Sequence, residues 1–363
     1  MKKFLQAIKI KGKALFNHIC IDSLTGMAWG LFSTLIIGLI IEQIGKLVGD
    51  NSIGNLLIVI GKICAALTGA GIGAGVAIKN KATPFVTISA SIAGLIGAFA
   101  SKILTNSVFV NSSIVLTGPG EPMGAFLASY IGMEIGKLVT GRTKVDIIIV
   151  PITTIIAGGA VGLLLGPAIS SFMATLGNLI NWSVERQPLI MGILVSVIMG
   201  MILTLPISSA ALAIILNLNG LAAGAATVGC CANMIGFAVA SYKENKTAGL
   251  LSQGLGTSML QVPNIMKKPI IWLPAIIASA ILGPISTLVF KMTNNPSGAG
   301  MGTAGLVGQF MTWQTMSGTE TPVILITKIL LLHFILPAII AGLVSFIMRK
   351  KGLIKEGDMK LEL

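Results

Sequence analysis

The sequence predicts an all-α, polytopic membrane protein with about ten transmembrane helices, re-entrant segments and an internal repeat. Hydrophobic residues make up 54% of the chain and charged residues only 10%, whereas a soluble domain carries about 25% charged residues. Segments 147–167 and 270–290 almost entirely lack the polar stripe that a soluble amphipathic helix needs. The composition therefore predicts a protein embedded in the lipid bilayer and argues against a soluble helical enzyme.

The net charge of +13 is distributed as in membrane proteins. Basic residues occur in short runs between apolar segments, which is the pattern of the positive-inside rule and not that of a nucleic-acid-binding surface. With these runs on the inner side, the protein crosses the cell membrane several times and has both termini in the cytoplasm. No nucleic acid is predicted as a partner.

The sequence contains no motif for catalysis, for a metal or for a cofactor, and none of the three is predicted. The cysteines at positions 20, 64, 230 and 231 lack the spacing of metal ligands. The glycine-rich run 69–75 does not follow a predicted strand, so it is not a dinucleotide-binding fingerprint. For this run we favour tight helix packing, with the lining of a solute path as the alternative.

Apolar segments of suitable length or character predict the membrane crossings. We place them at residues 24–41, 53–78, 84–104, 123–139, 145–165, 189–205, 210–216, 221–241, 270–290 and 323–348. The short segment 210–216 is counted as a crossing because the next basic loop then falls inside. Segment 247–264 is polar and glycine-rich, and we interpret it as either re-entrant or cytoplasmic.

These crossings suggest a division of the chain into five parts. Residues 1–23 form a cytoplasmic amphipathic leader without the apolar core of a signal peptide, and residues 24–165 form a first membrane half. Residues 166–188 form an external interfacial linker helix around Trp182, residues 189–348 a second membrane half, and residues 349–363 a cytoplasmic tail.

The two halves repeat an order of features. Each has a small-residue span that ends in a basic loop, an outward crossing that begins near a proline, and a polar link. A glycine-and-glutamate break next to a proline follows, and then an inward span. We interpret this order as a parallel duplication in which the two breaks approach one another; a chance similarity between glycine-rich chains is the alternative.

The candidate site lies in these two breaks. Residues 317–322 read Ser-Gly-Thr-Glu-Thr-Pro and contain Gly318, Thr319 and Glu320, and residues 117–122 read Thr-Gly-Pro-Gly-Glu-Pro and contain Gly118 and Glu121. A charge at mid-bilayer costs at least about 2.5–3.5 kcal/mol, so a carboxylate there indicates a solvated cavity, a partner or a proton. We expect the carboxylates to bind a small polar solute; surface glutamates that cap the next helix are the alternative.

Further polar residues lie in apolar surroundings. Lys328 lies two helical turns after Glu320, and we slightly favour outward snorkelling over an ion pair with Glu320. His333 is a candidate for solute binding or for a proton-responsive partner, and a packing histidine is the alternative. The amide of Asn233 and the hydroxyl of Ser208 are further candidates for solute contact.

At residues 317–322 the chain resembles the membrane-embedded IIC component of bacterial phosphotransferase-system sugar transporters. Members of that group carry a Gly-x-Thr-Glu-Pro signature whose glutamate binds sugar hydroxyls, which assigns this role to Glu320. Here Thr321 is inserted before Pro322, so the sequence departs from the signature at that point. More closely, the chain resembles a branch of IIC-like proteins in Gram-positive bacteria described as regulators of the perfringolysin type.

The resemblance implies properties that the residues alone do not give. It implies a homodimer, an elevator-like movement of a solute-bearing domain, and separate cytoplasmic IIA and IIB proteins that carry the phosphorylated histidine and cysteine. The leading hypothesis is therefore a permease for a small polar solute such as a sugar. A membrane-embedded solute sensor that regulates gene expression, and an ion-coupled carrier independent of phosphotransfer, are the alternatives.

Overall fold

The computed structural model describes residues 18–110, 113–184 and 186–361. Most of the predicted leader, residues 1–17, therefore lies outside the described residues. The described part of the chain is almost entirely helical, which confirms the predicted all-α class. Its strands, β1 (Phe109–Val110) and β2 (Ser113–Ile114), pair with each other in antiparallel orientation.

The α-helices are numbered here in chain order. They are α1 (Leu24–Leu31), α2 (Ile37–Val48), α3 (Ser52–Ala66), α4 (Thr68–Lys79), α5 (Pro84–Ala98), α6 (Ala100–Leu104), α7 (Pro122–Val139), α8 (Asp146–Val184), α9 (Pro188–Thr204), α10 (Ser209–Ile215), α11 (Gly220–Ala240), α12 (Tyr242–Leu251), α13 (Val262–Lys267), α14 (Leu273–Pro284), α15 (Pro296–Ala299), α16 (Val307–Met316), α17 (Pro322–Leu330) and α18 (Leu336–Lys350). Several of them begin with proline, whose fixed φ suits the first helical position and whose missing N–H would have no partner there.

Short π- and 3-10-helical segments join or extend these helices. The π-helical segments are His18–Ser23, Phe32–Ile36, Ser252–Gly256, Ile285–Val289 and Leu331–Ile335. The 3-10 segments are Ser258–Gln261, Pro269–Trp272 and Ala304–Leu306. The predicted polar segment 247–264 is thus a series of short helical pieces.

Within the described ranges, 5 helical stretches are long and apolar enough to cross a membrane: Ile21–Val48, Asp146–Ile169, Gly220–Ala240, Pro269–Val289 and Pro322–Lys350. Helices α3 and α4, bent by 53° at the break between them, raise this number to 6 if they form one span. Helices α5 and α9 are apolar but shorter. The polytopic membrane class is confirmed, and the number of about ten crossings stays a prediction.

Helix α8 continues through the region predicted to be a separate linker. It runs unbroken from Asp146 to Val184 and contains two prolines, Pro151 and Pro167. Near its end, the guanidinium of Arg186 lies 4.2 Å from the centroid of the Trp182 ring, a cation–π contact. The division of the chain at residues 165 and 189 stays a prediction.

The chain forms two compact units. The first comprises Met1–Thr34, Ala66–Pro167 and Val262–Lys267, and the second comprises Leu35–Ala65, Ala168–Gln261 and Lys268–Leu363. Each unit thus contains segments that are distant in sequence.

In the first unit, glycines bring α1 and α4 into backbone contact. A Cβ atom on Gly26 would lie 2.4 Å from the carbonyl oxygen of Gly75, and one on Gly30 would lie 2.0 Å from that of Gly71. No side chain fits at such distances, so small residues are what allow this close approach. The interpretation of the run 69–75 as a helix-packing surface is confirmed.

In the second unit, α11 is the central helix. It packs against α9, α14 and α18, and most of its residues are buried. A Cβ on Gly229 of α11 would lie 1.9 Å from the carbonyl oxygen of Ser196 in α9. Around this contact, residues of several helices form a buried apolar cluster that includes Val228, Leu282 and Leu325. The cluster positions α17, which follows the break at Glu320.

Candidate functional site

Glu320 lies in the break between α16 and α17. The backbone N–H groups of Thr319 and Glu320 both donate to the carbonyl of Met316, at 2.9 and 3.2 Å, and so close the end of α16. Thr321 then has extended backbone, with φ −68° and ψ 145°, and Pro322 begins α17. The carboxylate therefore leaves the chain where the backbone is not helical, as the sequence predicted.

Lys328 binds one oxygen of this carboxylate. Its Nζ donates to Oε1 of Glu320 and, at 3.0 Å, to the carbonyl of Phe290. Both side chains of the ion pair are 20% exposed. The slight preference for snorkelling was wrong. An ion pair with a nearby carboxylate offsets the cost of placing a lysine in an apolar span better than extension of the lysine side chain towards water does.

The other oxygen of Glu320 is unpaired. Oε2 is buried and has no hydrogen-bond partner among the described residues. Leaving a buried polar atom unsatisfied costs about 1–3 kcal/mol, and more for a charged group, so such atoms normally have a partner. One half of the carboxylate is thus anchored by the protein, and the other half can accept a hydrogen bond from a ligand.

The neighbours of Glu320 on the break are accessible. The hydroxyl of Thr319 donates to the carbonyl of Met316 at 3.0 Å, which leaves its oxygen able to accept. A Cβ on Gly318 would meet no atom within 4 Å. Packing therefore does not require glycine there, and the backbone on this side of the break is open.

The break at Glu121, in the first unit, has a similar local structure. Glu121 is half-buried, its N–H donates to the carbonyl of Ala98 at 2.8 Å, and Pro122 begins α7. Gly120 has φ +71°, and a Cβ there would lie 2.7 Å from the carbonyl oxygen of Ala98, so both conformation and space require glycine. Gly118 also has a positive φ, +75°.

The inserted Thr321 accounts for the difference between the two breaks. Glu121 itself occupies the N-cap position before the first proline of its helix, whereas in the second break Thr321 is the N-cap and Glu320 precedes it by one residue. The insertion moves the carboxylate one residue away from the helix start. That the two carboxylates serve one site stays a prediction.

His333 is held by a glutamine. It is 1% exposed, in the π-helical turn between α17 and α18, and its Nδ1 lies 3.1 Å from Nε2 of Gln309. Because an amide nitrogen only donates, Nδ1 is the acceptor in this arrangement. The hydrogen bonds of Glu320 do not include His333. These contacts support the packing interpretation, and a role in solute binding stays a prediction.

Asn233 uses its side-chain amide within the protein. Its Nδ2 donates to the carbonyl of Gly229 at 3.2 Å and to Oγ of Ser279 at 3.0 Å, and its Oδ1 accepts from Nε1 of Trp272 at 2.9 Å and from Oγ1 of Thr204 at 3.2 Å. All four hydrogen-bonding positions of the amide are therefore occupied by α9, α11, α14 and the segment before it. This geometry supports a structural role.

Ser208 lies at the start of the short helix α10. It is 9% exposed, and its carbonyl accepts the N–H of Leu212 at 3.1 Å. The next residue, Ser209, donates its hydroxyl to the carbonyl of Gly300 at 2.7 Å. The structure thus places Ser208 beside a contact between α10 and the end of α15, and its predicted role in solute binding remains untested.

A comparison with models of protein families matches almost the whole chain. Residues 21–361 match the model described as "Phosphotransferase system, EIIC". This range contains both breaks, α1 to α18 and all the candidate residues. The chain belongs to the phosphotransferase system EIIC family. A search of curated proteins gave no match.

Family membership confirms the resemblance read from residues 317–322. This EIIC protein is a membrane-embedded transporter component of the phosphotransferase type. The regulator-type branch, the solute and the transport mechanism go beyond this finding.

Sequence reasoning missed Asn294 of the EIIC chain. The Nδ2 atom of this buried residue shares its two hydrogens among three acceptors: Oγ1 of Thr227 at 2.7 Å, Oγ1 of Thr312 at 3.0 Å and the carbonyl oxygen of Gly308 at 3.2 Å. It therefore fixes the start of α16, the helix that ends before Glu320, against α11. The neighbouring residue did carry a signal in the sequence, because an asparagine before a proline is a helix-capping pattern. In the structure Asn295 caps α15.

No cluster of three or more metal-ligating side chains occurs within residues 18–110, 113–184 and 186–361. The candidate site of this EIIC protein consists of a carboxylate, its lysine partner, a threonine hydroxyl and open backbone. Such groups suit a ligand that carries hydroxyls.

Proposed function

We propose that this EIIC protein is a permease that moves a small polar solute, such as a sugar, and that Glu320 binds this solute. The proposal rests on the buried Oε2 of Glu320, which has no partner among the described residues. A solute hydroxyl is an O–H donor, and hydrogen bonds to a carboxylate are among the stronger ones in proteins. Oε2 is the acceptor that such a solute requires.

Lys328 prepares the carboxylate for binding. Because its Nζ holds Oε1 and is itself bound to the carbonyl of Phe290, the orientation of the Glu320 carboxylate is set before the solute arrives. Fixing a binding group in advance reduces the ordering that association requires. Thr319 and Gly318 supply an accessible hydroxyl oxygen and backbone beside it. We keep Glu121 and Gly118, in the break of the first unit, as proposed solute contacts in their own right.

Family membership and the charge distribution support the remaining features of the proposal. We infer a homodimer in which an elevator-like movement carries the solute across the bacterial cell membrane. Both termini lie in the cytoplasm, where the basic loops around Lys81, Lys144 and Lys246 offer binding surfaces to acidic faces of IIA and IIB proteins. The phosphoryl group is then transferred to the solute from the IIB protein and not from this chain.

The test begins with identification of the solute. A thermal-shift screen of sugars, nucleosides and organic acids on the purified protein selects ligands, and calorimetric titration then measures their affinity. Glu320→Gln alone leaves Lys328 without its partner, so Glu320→Gln/Lys328→Met is the decisive variant. We expect it to bind about 10-fold to 100-fold more weakly, because one hydrogen bond to a charged acceptor is lost.

The matched control is Glu42→Gln. Glu42 is another carboxylate of the second unit that pairs with a lysine, Lys46, at 2.9 Å. Its replacement should leave the affinity unchanged. Wild-type affinity in Glu320→Gln/Lys328→Met would remove Glu320 from the solute site.

A further inference from the structure

A surface groove of the second unit lies between the ends of α11 and α18 and the helix α12. Its volume is about 680 Å³, within the range of about 300–1,000 Å³ typical of small-molecule sites. Its walls are mainly apolar and include Val239, Leu250, Gly342 and Phe346. Phe346 is 63% exposed. The groove therefore offers an apolar wall to a ligand with hydrocarbon chains.

Three cationic side chains also line this groove: Lys243, Arg349 and Lys350. Arg349 is fixed in place, because its Nη2 donates to both carboxylate oxygens of Glu244, at 2.8 and 3.0 Å. Lys243 and Lys350 are exposed and form no ion pair with any described residue. Two uncompensated ammonium groups therefore lie next to an apolar wall.

Ser345 gives an independent indication of a ligand. It belongs to the groove lining and is 3% exposed, and its Oγ has no hydrogen-bond partner among the described residues. Helical serines usually satisfy this hydroxyl with a carbonyl of the preceding turn. An unsatisfied hydroxyl in an otherwise apolar wall indicates that a polar part of a ligand lies against it.

We propose that this groove binds an anionic phospholipid. The phosphate lies at Lys243 and Lys350, and an acyl chain lies along the wall formed by Val239 and Phe346. The position fits this ligand, because α18 is an apolar span that ends at Arg349 and Lys350, where lysine side chains reach the headgroup level. A free phosphate would not use the apolar wall, and a zwitterionic lipid would not need both lysines.

The test is native mass spectrometry of the full-length protein in detergent, titrated with phosphatidylglycerol and, separately, with phosphatidylcholine. We expect tighter binding of phosphatidylglycerol. Lys243→Gln/Lys350→Gln should weaken phosphatidylglycerol binding about 30-fold, since each lysine near an anionic lipid contributes about fivefold. Phosphatidylcholine binding should stay unchanged.

The matched control is Arg142→Gln/Lys144→Gln. It removes the same two charges from an exposed loop of the first unit, so net charge changes equally while the groove is untouched. We expect it to bind phosphatidylglycerol like the wild type, apart from a small effect that salt screens. An equal loss in the control and in the lysine variant would overturn the proposal.

A second variant tests the apolar wall. A Cβ on Gly342 would lie 3.3 Å from Cγ1 of Val239, a side chain that can shift, so Gly342→Leu should fill the groove and remove phosphatidylglycerol binding. Three results would contradict the lipid proposal: equal affinity for both lipids, full competition by millimolar inorganic phosphate, or a change from dimer to monomer in Gly342→Leu without any change in lipid binding. The last result would indicate a second copy of the chain in the groove.

Discussion

Lys328 holds Glu320 by one carboxylate oxygen, and the other oxygen has no donor among the described residues. Through its second hydrogen bond, to the carbonyl of Phe290, the same ammonium joins three parts of the second unit: the break, α17 and the end of the π-helical segment Ile285–Val289. The ion pair therefore has two consequences, one for stability and one for binding, and they can be separated by mutation.

A double-mutant cycle should reveal strong coupling between these two residues. Lys328→Met leaves a largely buried carboxylate without its cation, so it should destabilise more than the combined variant with Glu320→Gln does. We expect a coupling free energy of about 1.5–3 kcal/mol, the range for hydrogen bonds to charged groups. The measurement is reversible unfolding of all four proteins in detergent micelles.

The pair Glu42–Lys46 serves as the reference in that cycle. These residues lie one helical turn apart, and their side chains are 16% and 41% exposed. Lys46 is the more exposed partner, and helical ion pairs of this spacing contribute about 0.3–0.5 kcal/mol. An equal coupling free energy in the two cycles would show that the Lys328–Glu320 pair stabilises the protein no more than an ordinary helical ion pair does.

Glycines at helix contacts should not tolerate replacement by a larger residue where the two backbones touch. A Cβ on Gly30 would lie 2.0 Å from a backbone oxygen, whereas one on Gly159 would lie 3.5 Å from its nearest neighbour, a side chain of Ile96. We expect Gly30→Ala to destabilise by about 1–3 kcal/mol through overpacking and Gly159→Ala to be neutral or stabilising by up to about 1 kcal/mol. Thermal unfolding followed by size-exclusion chromatography measures both; similar midpoints would contradict the packing assignment.

The tail after α18 should make stability depend on pH. Met359 is fully buried and its carbonyl accepts hydrogen bonds from Asn245 and Gln261, at 2.8 and 3.0 Å. Beside it, Asp358 pairs with Lys268 at 2.5 Å. Partial burial acts to raise the pKa of Asp358, but the hydrogen bonds from Lys268 and from the N–H of Lys355 outweigh it, so the pKa is lowered.

The sign of this effect follows from the lowered pKa. The stabilisation by Asp358 is complete above the pKa of the unfolded chain, about 4, and is lost as the pH falls through the lower pKa of the folded protein. Asp358→Asn should therefore lower the melting temperature at pH 7, and the difference from the wild type should shrink below about pH 4. Melting curves from pH 7 down to about pH 3 test this; a difference that stays constant over this whole range would contradict the role of the charge.

Several helices could be predicted closely because their signals are local. Segment 189–205 is observed as Pro188–Thr204 and the span predicted to end at 139 is observed as Pro122–Val139. In both, a proline at the first helical position precedes a long apolar run, and neither signal depends on distant contacts.

Other elements could not be predicted because distant residues determine them. The polar link predicted before the second break contains most of the packed helix α16. The buried Thr312 and Gln309 of α16 are accommodated by hydrogen bonds to Asn294 and His333, which lie 18 and 24 residues away in the sequence. The pairing of Lys328 with Glu320 was predicted only as an alternative. Their spacing in the sequence allows both an ion pair and a lysine that extends outward.

The most direct test is uptake of the identified solute into proteoliposomes that contain this protein, with and without phosphorylated IIA and IIB proteins. The account predicts uptake by the wild type and by Glu42→Gln, and its loss in Glu320→Gln/Lys328→Met at equal protein content. Uptake at the wild-type rate by Glu320→Gln/Lys328→Met would contradict the assignment of Glu320, and tight binding without any uptake by the wild type would indicate a sensor instead of a permease.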